Sequence, residues 1–576
     1  MCQRRALVEC LALLLLCGAL FLPGLAVLPP VDRDEALYAQ AARQMIEAGD
    51  WVVPRVGDEA RLLKPIGIYW LQIAAVRLTG WQMPDSMVAH RLPSALGAIL
   101  AVLGTWWIGR GWFAPPVPLI AAALLACSAL LVVEAHLATT DAVLLACIVV
   151  SQGCLARLFM TVRRGKAGSV AAAIGFWLAL SAGTLLKGPV APLVSALTLA
   201  VLIVLPAPKP KNRSRSRGEA VAAEGCCGFW AAGGRRTWAL VGALRPGRGV
   251  LLILVCVLPW VVALGSAVGW RSLPEAMLSD MVPKLTGVQE SHAGFPGYYL
   301  LLAPVTFWPS SLFLLVALLH GWKHRQRPAE RFLLAWLVPT WLLFELVPTK
   351  LPHYVLPTFP ALALLAGRGV CAAPATLQPL LQRPAVRTAL CAWGLILVVI
   401  TVAVLIGVRH LDATALAYAG AVIGVVVGVG TGGACMMLVW RNSLRCAVVV
   451  GATGAALLFA VLLGTVLPGL DALWLSRRIA SVAEAISPRR GWLAVGYAEP
   501  SLMLLARVPV RRTELEAAVD ALEGPEPPLV LVSDSHREAF LGAVRRRGLR
   551  PRQRGSVMGF DYTHGRWITV ELFGAE

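Results

Sequence analysis

Between Asp32 and Trp81 one polar stretch carries Asp34, Glu35, Tyr38, Lys64, Tyr69 and Trp70, and apolar runs flank it, Leu11 to Leu28 before it and a second starting near Val88. A carboxylate, a lysine and two tyrosines at a water–lipid boundary are what handling a lipid-linked phosphate needs. The cation and phenols hold the anion, while the carboxylate orients or deprotonates a nucleophile. Tyr38 lies four residues after Asp34, so on a helix both can face the same way. The elements that must position them follow from local signals. Asp34 opens a helix that runs to about Ala48, where Gly49 stops it. Val52-Val53-Pro54 and a turn at Gly57-Asp58 come next, and Lys64-Pro65 opens a second helix with Pro65 at its first position. The same residues have a plainer reading: Asp34 as an N-cap, and Tyr69, Trp70 and Trp81 as interfacial aromatics.

Four further groups of ionisable residues sit at the ends of apolar runs, where burial in lipid is costly and a functional role is the default hypothesis. Glu134, His136 and Asp141 surround Thr139-Thr140; Lys187-Gly188-Pro189 forms a hairpin; Asp280, Lys284 and His292 precede Tyr298-Tyr299; and Lys350-Leu351-Pro352-His353-Tyr354 follows another run. A lysine at a helix end often only snorkels, but four such groups on the face that carries Asp34 and Lys64 imply one shared pocket.

The 576 residues are 58% hydrophobic and 15% charged, with mean hydropathy +0.71. Such values lie outside soluble globular usage and imply an α-helical polytopic membrane protein. Apolar runs place about thirteen spans. The net charge of +20 resides largely in basic clusters between runs, including Arg4-Arg5, Arg163-Arg164 and the tract from Lys209 to Arg217. These clusters fall on one side if every run crosses once, which makes that side the cytoplasm and puts the Asp34 loop and the C-terminus outside. Topology thus accounts for the charge, and no nucleic-acid partner is expected. The first run, with no small-x-small cleavage site before Pro29-Pro30, reads as an uncleaved span. The 13 cysteines fall mostly inside apolar runs and offer neither a zinc spacing nor a disulfide framework.

Residues 1–470 form the transmembrane domain, with the outer loop at 29–87 and a basic cytoplasmic loop at 206–248. From 471 to 576 the pattern changes to a small α/β domain, with strands at Trp492–Tyr497, Leu529–Ser533, Ser556–Phe560 and Trp567–Leu572 and helices at Thr513–Leu522 and Ser535–Arg547. Ser533-Asp534-Ser535-His536 reads as a strand end and helix cap, since no G-x-S-x-G elbow accompanies it.

The outer loop resembles that of the aminoarabinose transferase family, which modifies lipid A and is related to the protein mannosyltransferases. The resemblance rests on Asp34-Glu35, Tyr38-Ala39, Gly49-Asp50-Trp51, Pro54, Lys64-Pro65 and Tyr69-Trp70, and continues in patches through about residue 370. Leu186 to Pro189, Lys350 to Pro357, Asp141, and His292 with Tyr298-Tyr299 match later patches. It implies the GT-C type of fold, with periplasmic juxtamembrane helices, in the bacterial inner membrane. The implied activity is transfer of one sugar, with inversion, from a polyprenyl phosphate such as undecaprenyl phosphate to lipid A or lipopolysaccharide core.

By the same resemblance Asp34 and Glu35 are the catalytic candidates. Tyr38, Lys64, Lys187, Lys284, Lys350 and Tyr354 hold the donor phosphate, and Tyr69, Asp141, His292 and Tyr298 line the substrate pocket. The chain departs from the family where Leu63 and Met281 replace residues implicated in metal binding, and where Leu37 replaces an arginine. No metal and no cofactor are therefore expected, while membrane lipid and a glycan or lipid acceptor are the expected partners. Protein O-mannosyl transfer is the alternative within the class. A transporter or lipid flippase is the alternative outside it, though transporters tend to place charges at mid-span within repeated halves.

Overall fold

Inside lipid a chain satisfies its backbone groups only as helices or a closed barrel, and among the described residues the apolar runs above fold mainly as helices or bent pairs of helices. The computed structural model describes residues 2–81, 86–204, 238–275, 294–372, 378–379 and 381–574. Among these, seven helices are long and apolar enough to cross a membrane, or nine spans if each of two bent pairs counts once. The bent pairs are Val117–Ala126 with Ala129–His136, at 58°, and Tyr298–Thr306 with Ser310–Lys323, at 117°. Length and apolarity therefore do not reach the expected thirteen. The remaining runs form helices that are charged (Cys2–Phe21 with Arg4, Arg5 and Glu9; Pro328–Leu346 with Glu330, Arg331 and Glu345) or short (Val190–Val204, Phe359–Val370).

The polar stretch folds much as its local signals require. After α1 (Cys2–Phe21) comes α2 (Asp34–Ala48), which ends at Gly49. A two-residue hairpin of β1 (Arg55–Val56) and β2 (Glu59–Ala60) turns at Gly57. Then α3 (Gly67–Thr79) carries Tyr69 and Trp70. Two expectations shift. The cap position of α2 is Arg33, so Asp34 is the first helical residue and not an N-cap. Likewise α3 begins after Ile66 rather than at Pro65. At the start of α3 the chain presses against the end of a neighbouring helix: a Cβ on Gly67 would lie 2.7 Å from the Leu185 carbonyl oxygen.

What ties this loop to the bundle is a buried ion pair. Arg91, near the start of α4 (Val88–Arg110), is fully buried, as is Glu35. Arg91 Nε and Nη2 donate to the two Glu35 carboxylate oxygens at 2.8 and 2.9 Å. Its other N–H groups donate to the carbonyls of Leu25, Leu28 and Pro29. All five guanidinium donors thus have acceptors. Glu35 also accepts from the backbone N–H of Val31 and of Ala138, both at 2.8 Å.

The C-terminal domain is a five-stranded sheet in the order β4-β3-β5-β7-β6, with β3 (Trp492–Val495) parallel to β4 (Val510–Arg512) and β5 (Leu529–Ser533), and with β6 (Arg552–Asp561) and β7 (Arg566–Gly574) antiparallel. Alternation along β5 sends Leu529 and Leu531 to the face covered by Leu475–Ile486, and Val530 and Val532 to the face covered by Asp534–Arg546. Both faces being covered, the strand is buried throughout. The expected strands and helices are all present, and Ser533 ends a strand where a helix begins. The short, arginine-rich β4 and the helix Leu475–Ile486 have no counterpart in the expected pattern.

This domain packs on the polar stretch. Asp32 accepts from the Ser501 N–H at 2.8 Å and hydroxyl at 2.6 Å, its own N–H donates to the Tyr562 hydroxyl, and Leu504 packs with Ala36 and Ala39 of α2. Burial raises the Asp32 carboxyl to about 6, against the lowering pull of Ser501. Loop and domain therefore share one face of the molecule.

Breaking a buried pair strands a charge, which costs about 3–5 kcal/mol. Arg91→Met should lower stability on that scale in denaturant unfolding of the detergent-solubilised protein. An unchanged midpoint would show that Glu35 and Arg91 are not what holds the loop.

Candidate active site

Three pieces of chain converge beside α2. The first is the loop itself. Asp34 stays largely exposed, while Tyr38 and Tyr69 are buried with ring centroids 5.6 Å apart. Arg61, just after the hairpin, lays its guanidinium 4.5 Å from the Tyr38 ring centroid and donates to Asp34 Oδ1 at 3.3 Å. Burial raises the Tyr69 hydroxyl to about 12 and pushes Tyr38 well above the ordinary phenol value, so both stay protonated donors. The tail of this stretch is held by Asp50, which accepts from Val52 and Val53 N–H, and by Trp260, which donates to the Val52 carbonyl.

The second piece is the turn between Ala129–His136 and α7 (Asp141–Arg163), where α5 is Val117–Ala126 and α6 is Ala129–His136. Glu134 accepts from the Thr139 hydroxyl at 2.9 Å, and Asp141 from the Thr140 hydroxyl at 3.2 Å. The turn is wired to the loop through Ala138, whose N–H meets Glu35 and whose carbonyl accepts from Gln72 of α3 at 3.0 Å.

The third piece combines two chain reversals. α8 (Val170–Lys187) ends on Lys187, and Gly188, at φ 57° and ψ −129°, makes the turn before Pro189 and α9 (Val190–Val204). That conformation is open to glycine and unfavourable for other residues. It delivers Lys187 Nζ to Asp141 Oδ1 at 2.7 Å and 5.9 Å from the Tyr354 ring centroid. His353, beside Tyr354, comes within 3.7 Å of Glu134 and 4.0 Å of Asp141. Burial lowers His353 to about 4, although the Asp141 charge opposes this, so the imidazole is neutral near pH 7. Asp34 and Lys64 both act electrostatically on His353, and Asp141 acts on Tyr38, so the three pieces make up one charged cluster.

The structure thus brings together Asp34, Tyr38, Lys64, Tyr69, Asp141, Lys187 and Tyr354 of the expected set. Glu35 is close in sequence but differs in surroundings: its oxygens are engaged by Arg91 and two backbone N–H groups, which makes it an anchor of the loop. Lys350 is engaged by the backbone. Its ammonium donates to the carbonyls of Phe344 and Glu345 and lies over the Tyr299 ring, so its hydrogen bonds go to the backbone. Burial lowers its pKa, with Glu345 opposing. Tyr298 stacks edge-on with Tyr299 in this adjoining layer. Lys284 and His292, and with them Asp280 and Met281, lie outside the described residues.

Sequence reasoning gave no role to Arg61 or Arg91. An arginine four residues into an apolar run is a signal of the second. Arg61 sits among Arg55, Asp58 and Glu59 and reads as a solvated charge. Position 37, where the resemblance expects an arginine, holds a half-buried leucine. One group among the described residues has the spacing to hold a metal ion, Glu499, Asp561 and His564, with ligand atoms within 4.8 Å of one another. It lies in the C-terminal domain, and its members are already bonded: His564 to Asp561, and both carboxylates to the Thr563 hydroxyl.

A family model described as dolichyl-phosphate-mannose-protein mannosyltransferase matches residues 7–232. Among curated relatives, the undecaprenyl phosphate-alpha-4-amino-4-deoxy-L-arabinose arabinosyl transferase of Edwardsiella ictaluri is 27% identical over 361 residues, covering 60% of this chain and 55% of the relative. A protein of the same name from Pseudomonas fluorescens is 29% identical over 362 residues, covering 62% and 58%. The chain spans little more than half the length of these relatives. The crystal structure of ArnT from Cupriavidus metallidurans bound to undecaprenyl phosphate superposes with a TM-score of 0.72 at 19% identity, covering 99% of this chain and 98% of that one. The apo form gives 0.71 at 20% identity. At this identity the likeness is one of fold.

Lys187→Met should strand Asp141 beside Glu134 and lower the unfolding midpoint, because removing one partner of a buried pair leaves an uncompensated charge. Adding Asp141→Asn should restore most of the loss, since the two changes share one interaction. Equal midpoints for the single and double variants would remove the pair from the account of this pocket.

Proposed function

We propose, for a chain that is aminoarabinose transferase-like in its motifs and its fold, transfer of a single sugar from a polyprenyl-phosphate donor to lipid A or lipopolysaccharide core, with inversion at the anomeric carbon. The observation that carries this reading is one exposed carboxylate, Asp34, across a pocket whose other wall holds Lys187, Asp141, Glu134 and His353, with Lys64 acting on the same imidazole. The acceptor oxygen forms a bond to the anomeric carbon as the bond to the phosphate oxygen breaks, and the lipid leaves as a phosphate monoester. Lys64 and Lys187 offset the charge that develops on the leaving phosphate, and the Tyr38 and Tyr354 hydroxyls act as donors toward it. Asp34 takes the proton of a hydroxyl acceptor or, where the acceptor is an ionised phosphate, positions it. Neutral His353 serves as a hydrogen-bonding group without adding charge to the pocket.

Asp34→Asn keeps the shape and removes the carboxylate. Its exposed pair with Arg61 is worth at most about 1 kcal/mol, so folding should hold. Transfer from a polyprenyl-phosphate sugar in detergent should fall by about a hundredfold or more. Normal turnover by well-folded Asp34→Asn would sink the assignment of Asp34. We also propose metal-independent transfer, on the grounds that Leu63 and Met281 are poor ligands. Activity in the same assay that vanishes with chelator and returns with a divalent ion would refute that part. The matched mannosyltransferase model favours protein O-mannosyl transfer as the second reading; glycoprotein mass spectrometry of cells with and without the chain separates the two.

The proposed location is the bacterial inner membrane, with Asp34 and the C-terminal domain on the periplasmic side. A reporter fused after Glu576 should be active only outside the cytoplasm, and one within Lys209 to Arg217 only inside. Cytoplasmic activity of the first would overturn this orientation for pocket and domain together, because they share one face.

A further inference from the structure

Arg61 has hydrogen-bonding capacity that the protein leaves unused. Its side chain is 10% exposed, its Nη2 reaches Asp34, and its guanidinium lies over Tyr38. Nη1 is buried with no hydrogen-bond partner among the described residues. The Tyr69 hydroxyl, wholly buried, is likewise left without a well-formed hydrogen bond: the Arg61 guanidinium beside it acts on it, but their contact falls short of good hydrogen-bond geometry. Buried donors are rarely left in this condition, and each specific case asks for an explanation. Here two stand at one place, one charged and one neutral, at the edge of the pocket and next to an exposed carboxylate.

The guanidinium can only donate and the phenol can donate too, so an acceptor is the partner that would serve both. A neutral carbonyl would satisfy one of them. A group with several anionic oxygens would satisfy both, and a planar guanidinium matches phosphate geometry well. Asp34 does not fill the role, because it meets the guanidinium at Nη2 alone, through Oδ1, and leaves Nη1 without a bond. The stack on Tyr38 fixes the plane of the guanidinium, which leaves the Nη1 edge presented without further ordering.

We infer that Arg61 Nη1 and the Tyr69 hydroxyl together form a binding subsite for a phosphate oxygen of a substrate. This rests on the glycosyl-transfer reading for the identity of the substrates, and two of them carry phosphate: the polyprenyl-phosphate donor and a phosphorylated lipid acceptor. In either case the subsite sits beside Asp34. Lys187, by contrast, already has its own carboxylate partner in Asp141.

The test uses the full chain in detergent, as wild type, Arg61→Gln, Arg61→Lys and Tyr69→Phe. Binding of undecaprenyl phosphate is measured by native mass spectrometry, and KM is measured for lipid A and for its dephosphorylated form. Arg61→Gln should weaken one of these interactions about tenfold or more, Tyr69→Phe should weaken the same one by a smaller factor, and Arg61→Lys should recover part of the loss. Loss of undecaprenyl phosphate binding assigns the donor phosphate. A raised KM for lipid A alone, absent for the dephosphorylated acceptor, assigns the acceptor phosphate. Melting temperature without lipid should stay close to wild type; Tyr69→Phe, which keeps the ring packing, carries the test if Arg61→Gln fails to fold. Wild-type affinity and KM in Arg61→Gln and Tyr69→Phe would overturn the subsite while leaving the transfer reading standing. A wild-type chain that binds no phosphate lipid and transfers no sugar would overturn both.

Discussion

The arrangement of the pocket depends on the contact between Glu35 and Arg91. A fully buried carboxylate and guanidinium are costly to desolvate, and such a pair persists where every hydrogen-bonding position is filled. Here it is. Arg91 holds the carbonyls of Leu25, Leu28 and Pro29 as well as Glu35, and Glu35 also holds the N–H groups of Val31 and Ala138. One pair therefore joins the exit of α1, the start of α2, the head of α4 and the turn that carries Asp141. Asp34, the neighbour of Glu35, faces away from it toward Arg61. Adjacent acidic residues on one helix thus have opposite tasks: the buried one fixes the helix and the exposed one faces the pocket.

The inner wall shows a second balance of charge. Glu134 and Asp141 share a buried turn with one lysine, Lys187, and a histidine that burial keeps neutral. Lys187 reaches Asp141 because Gly188 turns the chain directly after α8, and Gly67 lets the Asp34 loop press against the last turn of that helix. Lys64 and Lys187 approach one site from the Asp34 loop and from the bundle, each delivered by a backbone feature that a side chain at the glycine would disturb.

The C-terminal sheet domain adds a third constraint from above. Asp32, two residues before Asp34, accepts from both the backbone and hydroxyl of Ser501, and its N–H meets Tyr562. The start of α2 is consequently held from the bundle side by Glu35 and from the domain side by Asp32. That geometry gives the domain a physical connection to the pocket that its position at the far end of the chain does not announce.

Much of this was legible in the sequence, where the physics is local. Apolar runs that can satisfy their backbone only as helices marked the bundle helices among the described residues, Gly49 and Gly57 marked the helix end and hairpin turn of the Asp34 loop, and alternation marked four of the five C-terminal strands. The residue types at span ends pointed to Asp34, Lys64, Asp141, Lys187 and Tyr354. Tertiary structure decided what each charged group faces. Nothing in Asp34-Glu35 says which carboxylate turns inward, because that is settled by Arg91, more than fifty residues away. Lys350 and Lys187 stand in similar apolar surroundings, yet one meets backbone carbonyls and the other a carboxylate. Arg61 looks like any charge in a polar hairpin until folding sets it over Tyr38 and beside Tyr69. Local pattern determines which elements form, since helices and turns close over a few residues. Partners for buried charges come from distant parts of the chain, and only their packing fixes which ones meet.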